Sequence, residues 1–171
     1  MIFLHTLYRI WEVFSPEKLA GYGAYPVPQF LITIIKKLPI GIQLGTLAYI
    51  VRGNDITSIA PNGLGCAETM SRIIKVLVPD FPILISTREL ASELRRNSHF
   101  AVSDGRNGDI YMAETGTGAY QNGHVGVRYN MFVLSNNSGT GKMDNHWTVQ
   151  AFTDYFFIRG RFTRQFYRLI K

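Results

Sequence analysis

The hydrophobic period changes once along this chain, near residue 100, and that change decides which class of fold is open to it. Before it, apolar side chains recur at helical spacing. Leu4, Leu7, Tyr8, Trp11 and Phe14 mark one predicted helix, 29–37 a second and 42–51 a third. From Cys66 to Val78, Ala67, Met70, Ile73, Ile74 and Leu77 line one face of an amphipathic helix that Pro79 stops. A further helix is predicted over 87–96, with Thr87 as its N-cap. After residue 100 the period moves toward two. Segments 100–102, 109–113, 124–129, 132–135 and 166–170 read as strands punctuated by Gly and Asn, with a short helix over 148–156. Helices first and strands afterwards predict an α+β fold with an antiparallel sheet.

The organisation along the chain follows the same reading. Two glycines and two prolines between residues 21 and 28 mark a linker. Residues 1–53 are expected to be a helical N-terminal segment that packages or docks, and residues 54–171 the domain that carries chemistry. A chain of 171 residues is long enough to bury a core without staples, and a single cysteine excludes an internal disulfide. The apolar run from Phe30 to Val51 is interrupted by Lys36, Lys37 and Pro39, which argues against a spanning helix. The N-terminus has no basic region ahead of its apolar residues and no small-residue cleavage site, so no classical secretion signal is expected.

The formal net charge is +6, and it is concentrated at one end. Arg159, Arg161, Arg164, Arg168 and Lys171 follow one another with no acid among them. Such a surface suits an anionic polymer: nucleic acid, anionic lipid or teichoic acid. A solvated basic tail is the plainer alternative.

Two short islands carry the candidate chemistry. Gly65-Cys66-Ala67-Glu68 opens a predicted helix, and Gly123-His124-Val125-Gly126-Val127 opens a predicted strand. A thiol at a helix N-terminus is placed where the dipole favours the thiolate, and a histidine can take or give its proton. Of the four histidines, His5 and His99 read as structural or surface residues. His146 is a rival to His124, which is favoured because Gly123 and Gly126 leave space around it. A third group should orient the imidazole from the next strand. Asn136 is the first choice and Asn137 the second, against the alternative that Ser135-Asn136-Asn137-Ser138 simply turns. The Cys66 backbone N–H and a side chain such as Asn62 are candidate oxyanion donors. Glu68 is expected to be structural. No His/Cys cluster at ligand spacing suggests a metal, and Gly139-Thr140-Gly141-Lys142 lacks the full spacing of a phosphate loop.

Taken together and in order, these pieces resemble the papain-like cell-wall hydrolases of the NlpC/P60 and CHAP type. The matching residues are Gly-Cys-Ala-Glu at 65–68, Gly-Asp-Ile at 108–110, Gly-His-Val-Gly-Val at 123–127, Ser-Asn-Asn-Ser at 135–138, Trp147 and the closing Phe166-Tyr167-Arg168. Asn107 stands where that family commonly has proline, and no tyrosine lies just upstream of Cys66. The resemblance implies N-terminal helices packed on a central antiparallel sheet. It also implies a cysteine endopeptidase or amidase acting on peptidoglycan, with Cys66 as nucleophile, His124 as base and Asn136 as the polar third residue. No cofactor is implied. A phage or virion-associated lysin would fit, found in the virion or the infected bacterial cell, with residues 1–53 contacting other virion proteins or a membrane. Nucleic acid is then not an expected partner. The competing expectation is a catalytically inactive virion or membrane-associated protein of the same fold, with a basic contact surface. A thiol acyltransferase or deubiquitinase-like protease on the same scaffold is a third.

Overall fold

The computed structural model describes residues 27–58, 63–115 and 122–171. The predicted helix over 4–14, most of the linker and Asn62 lie outside the described residues. Helix α1 (Gln29–Ile35) begins after Pro28 and α2 (Ile40–Val51) after Pro39. Proline suits both places, because the first helical turn needs no donor there. Helix α3 (Cys66–Leu77) buries nearly every residue it has. Helix α4 (Thr87–Arg96) is capped by Ser86, one residue earlier than expected, whose hydroxyl accepts from the Arg88 N–H at 3.2 Å. Among the described residues no helix is long and apolar enough to cross a membrane.

Six strands follow: β1 (Phe100–Val102), β2 (Ile110–Ala113), β3 (His124–Tyr129), β4 (Phe132–Asn137), β5 (Lys142–Thr148) and β6 (Gln165–Leu169). Their order across the sheet is β1-β6-β2-β3-β4-β5, and every pairing is antiparallel. The fold is therefore α+β. Strand β5 covers residues whose glycine-rich start reads as loop; its pairing with β4 passes an irregularity between Val133 and Ser135. The predicted helix at 148–156 is a short α-helix, α5 (Val149–Phe152), that widens into a π-helical stretch over Thr153–Arg159.

Alternation along the strands sorts the side chains into two layers. Ile110, Met112, Val125, Val127, Leu134 and Met143 join the core that contains α1 to α4. Tyr111, Ala113 and Val133 face the other way and meet Phe152, Phe156 and Phe157. The sheet is thus covered by helices on one face and by the aromatic α5 segment on the other.

Helices α1 and α2 do not form a separate unit. Leu31, Ile35, Leu44, Leu47, Ala48 and Val51 share the core of α3 and the sheet. Glycine makes this approach possible: a Cβ on Gly45 would lie 2.7 Å from the Arg128 carbonyl oxygen. Gly108 has φ +88°, and a Cβ there would overlap the Gly41 carbonyl. Residues 27–53 are accordingly part of the same hydrophobic body as the rest.

Next to Gly108, Asp109 is fully buried and ties the start of β2 to its surroundings. Its Oδ2 accepts from Ser103 Oγ at 2.5 Å and from the Arg106 N–H at 2.6 Å. Arg168 Nη2 lies 2.7 Å from Oδ1 as an ion pair. One of the five clustered C-terminal cations is therefore spent inside the protein. Arg159, Arg161, Arg164 and Lys171 are exposed.

Candidate active site

Cys66 is the first residue of α3, and Gly65 caps the helix without a side chain. Glycine is needed here for room. A Cβ on Gly65 would lie 2.9 Å from Thr57 Oγ1 and 3.3 Å from Asn136 Nδ2. The segment before the helix is held down by Glu68. Its carboxylate, only 1% exposed, accepts from Thr57 Oγ1 at 2.6 Å, Ser58 N at 2.8 Å, Ser58 Oγ at 2.7 Å and Arg72 Nε at 2.9 Å. Burial would raise its pKa, but the hydrogen bonds from Thr57, Ser58 and Arg72 overcome that and hold it below the usual carboxylate range. Glu68 is a structural clamp on the first turn of α3.

The Cys66 thiol is buried. Burial pushes its pKa up, and hydrogen bonding to the backbone of Val125, Ala67 and Cys66 itself acts in the opposite direction without cancelling it. A thiolate stabilised by the helix end is therefore not what this structure holds: desolvation exceeds the pull of the amides, and the resting group is a thiol. The Val125 contact fixes where the sulfur sits. It reaches the start of β3, at the peptide that follows His124.

His124 occupies the first position of β3. Its Nε2 lies 2.9 Å from Ser135 Oγ. The ring stacks on Phe156 with centroids 5.2 Å apart and planes at 9°, and Phe152 and Trp147 lie at 6.0 and 6.4 Å. Burial, with a smaller push from His146, brings its pKa down to about 3. The imidazole is neutral at physiological pH. No hydrogen bond joins the thiol to the imidazole, and Nδ1 carries none among the described residues.

The group that orients the imidazole is Ser135, a correction to the expectation of Asn136 or Asn137. The reason is register. Gly126 pairs with Ser135, so Ser135 shares the face that carries His124. Asn136 points to the opposite, helical face, where its amide approaches Gly65. Asn137 donates from Nδ2 to Asp144 Oδ2 at 2.9 Å. Thus Cys66 and Asn136 are brought together at one end of α3, while His124 and Ser135 are paired across the β3–β4 hairpin.

His146, the rival histidine, is exposed and forms a close pair with Asp144 through Nδ1. Its ring centroid is 6.3 Å from that of His124. His99 bonds the Lys171 carbonyl through Nδ1 at 3.2 Å, far along the chain from these groups. Among the described residues no group of three or more His, Cys, Asp or Glu could hold a metal ion. Ser135 could have been found from the sequence: it lies the right distance past a two-residue hairpin turn to face His124, but its place depends on the register, which the turn at Asn130-Met131 sets. Compared with protein-family models, with curated proteins and with solved structures, the chain matches none.

Proposed function

We propose that this protein is a cysteine hydrolase that cleaves amide bonds of bacterial peptidoglycan, as an endopeptidase or amidase. One observation carries the reading: the Cys66 thiol at a helix N-terminus meets the backbone of Val125, the residue after His124, whose Nε2 is already held by Ser135. The thiol lies on the helical face of the sheet and the ring on the aromatic face, so the reading requires His124 to turn about the start of β3 and bring a ring nitrogen to Sγ.

The chemistry starts from two neutral groups. In the neutral imidazole one nitrogen carries the proton and the other, once the ring has turned to the thiol, offers its lone pair. As Sγ attacks the amide carbonyl, a C–S bond forms, the thiol proton passes to that nitrogen, and the carbonyl π electrons move onto oxygen. Collapse of that tetrahedral adduct breaks the C–N bond. The imidazolium gives its proton to the departing amine. Water, deprotonated by the same nitrogen, then releases the acyl group and restores the thiol.

The exposed cations Arg159, Arg161, Arg164 and Lys171 suit an anionic wall polymer. A phage or virion-associated lysin is the biological setting that fits this reading. The test is a zymogram on purified peptidoglycan, with mass spectrometry of the released muropeptides. The wild-type chain should give a clearing band and new amines, and Cys66→Ala should give neither while keeping its melting temperature. Full clearing by the Cys66→Ala variant would exclude the thiol mechanism.

A second reading has its own observation. The thiol is buried and protonated, and no hydrogen bond links it to the imidazole. A scaffold of this fold that binds through its basic surface and performs no hydrolysis would have those properties. Absence of any wild-type turnover on walls of several chemistries would favour it.

A further inference from the structure

Helix α5 and its π-helical continuation form one helical run over 149–159 on the aromatic face of the sheet. Its inner side is fully engaged: Phe152, Phe156 and Phe157 are buried with Tyr111 and Val133. The side turned away from the sheet carries Tyr155 and Ile158, 56% and 55% exposed. Tyr155 leans on Trp147, with ring centroids 5.2 Å apart, so its ring is held in place while the residue stays open to solvent. The chain then folds back. The Gly160 N–H donates to the Tyr155 carbonyl at 2.9 Å and the Phe162 N–H to the Phe156 carbonyl at 3.0 Å. That return brings exposed Arg159, Arg161 and Arg164 round the helix end that carries Ile158, and the Arg164 guanidinium lies 6.0 Å from the Phe157 ring centroid. Among the described residues none of the three arginines forms an ion pair. Asp154, bonded by Gln150 Nε2 at 2.8 Å, is the only acid from residue 149 to residue 171. An exposed guanidinium with no carboxylate beside it keeps its charge and its fork of donors for a phosphate.

We propose that this outward face docks on an anionic lipid bilayer. Tyr155 and Ile158 enter the boundary between headgroups and acyl chains, and Arg159, Arg161 and Arg164 bind lipid phosphates. The charge by itself suits any polyanion, the wall polymer considered above included. The apolar pair separates them. A glycan, a teichoic acid or a nucleic-acid duplex has no apolar phase to take the Ile158 side chain, whereas a bilayer has one. Tyrosine suits the same boundary, because its ring is apolar and its hydroxyl stays hydrated. The arginine stems lie along apolar surface while their heads remain in water, so cations beside an inserted residue lose little hydration. Attraction to anionic headgroups fades within a Debye length, and insertion of Ile158 holds the neighbouring guanidinium groups inside that distance. Tyr155, Ile158 and the three arginines have no part in the hydrolysis described above, so the inference stands apart from that reading.

The experiment is flotation of the full chain with vesicles of phosphatidylcholine alone and with vesicles of phosphatidylcholine and phosphatidylglycerol in about a 2:1 ratio. The wild-type chain should float with the mixed vesicles and stay behind with the zwitterionic ones. Arg159→Ser and Arg164→Ser should each lower the partition coefficient about fivefold, and added salt should shrink both effects. Tyr155→Ser with Ile158→Ser should lower it about tenfold at every salt concentration, because the lost contribution is apolar. All four positions are exposed, and the single variants Tyr155→Ser and Ile158→Ser decide the point if the double variant does not fold. A wild-type chain that fails to float with the mixed vesicles overturns the proposal. So does flotation of the folded serine variants at the wild-type level, which would leave only a charged surface. Retention of the wild-type chain on immobilised teichoic acid or duplex DNA, without flotation, would assign the patch to a soluble polyanion and overturn it as well. Flotation is read without turnover, so a wild-type chain that floats but releases no muropeptide tells against the hydrolase reading alone.

Discussion

His124 Nε2 lies 2.9 Å from Ser135 Oγ, and this hydrogen bond joins adjacent strands on the aromatic face of the sheet. The serine is 1% exposed, so the imidazole is tethered without solvent competition. Ser135→Ala leaves the ring stacked on Phe156 but free to exchange tautomers. Hydrolysis of purified peptidoglycan should slow by at least about tenfold, a part of what general acid–base catalysis supplies. An initial rate equal to wild type would show that the hydroxyl does not direct the ring.

The depressed pKa of His124 has a consequence for stability. In the unfolded chain a histidine takes up its proton near pH 6.5; in the native protein this one does so only near pH 3. Between these values the unfolded state binds more protons, so stability rises with pH across the window and is lost as the pH falls through it. The slope should reach about 1.4 kcal/mol per pH unit. Urea titrations at pH 4, 5, 6 and 7 measure it, and His124→Phe should flatten the curve. An equally steep slope in that variant would move the effect to another group.

Thiol reactivity gives a third test. Burial raises the Cys66 pKa above the ordinary thiol value, so alkylation by iodoacetamide at neutral pH should be slower than that of a free cysteine. The labelling rate should keep rising above pH 9. A labelling midpoint near pH 7 would mean that the resting group is a thiolate after all.

Glu68 is the most heavily used carboxylate near the site. Glu68→Gln removes the charge opposite Arg72, whose side chain is 8% exposed. Breaking a buried pair from one side costs about 3–5 kcal/mol. The wild-type contribution holds at neutral pH and is lost as acid protonates the carboxylate, because its native pKa lies below that of the unfolded chain. Chemical denaturation of the two proteins at pH 7 checks the magnitude; a change under about 1 kcal/mol would show that the loop before α3 does not depend on this clamp.

Phe156 stacks on His124 and also meets Phe152, with centroids 4.6 Å apart. Phe156→Ala should cost about 3–5 kcal/mol, as other truncations of buried aromatics do. It should also admit water to the imidazole, so the histidine pKa measured by NMR should move up from about 3 toward 6.5. An unmoved titration would mean that the desolvation comes from elsewhere.

Much of the fold was legible because local periodicity survives in the structure. Strand β3 runs over His124–Tyr129 and helix α3 starts at Cys66, both where alternation and amphipathicity predict. Strand β5 was not legible. Its residues Asp144, Asn145 and His146 are polar, and only its pairing with β4 makes it a strand. Cys66 and His124 stand out in the sequence as residue types, but the face of the sheet that His124 takes does not. The partner of His124 was legible only through the hairpin register, because a shift of one residue exchanges Ser135 for Asn136 and turns each to the other face. The state of the thiol was also hidden, since burial depends on packing that no spacing in the sequence reveals.

The close passage of Gly41 and Gly45 across Gly108 has a practical meaning for anyone who trims this protein. A shortened chain beginning at residue 54 would strip away the layer that shields Val127 and Leu134 and leave greasy surface open to water. Such a fragment should aggregate when expressed alone, and a portable module would have to start no later than the prolines that open the first two helices.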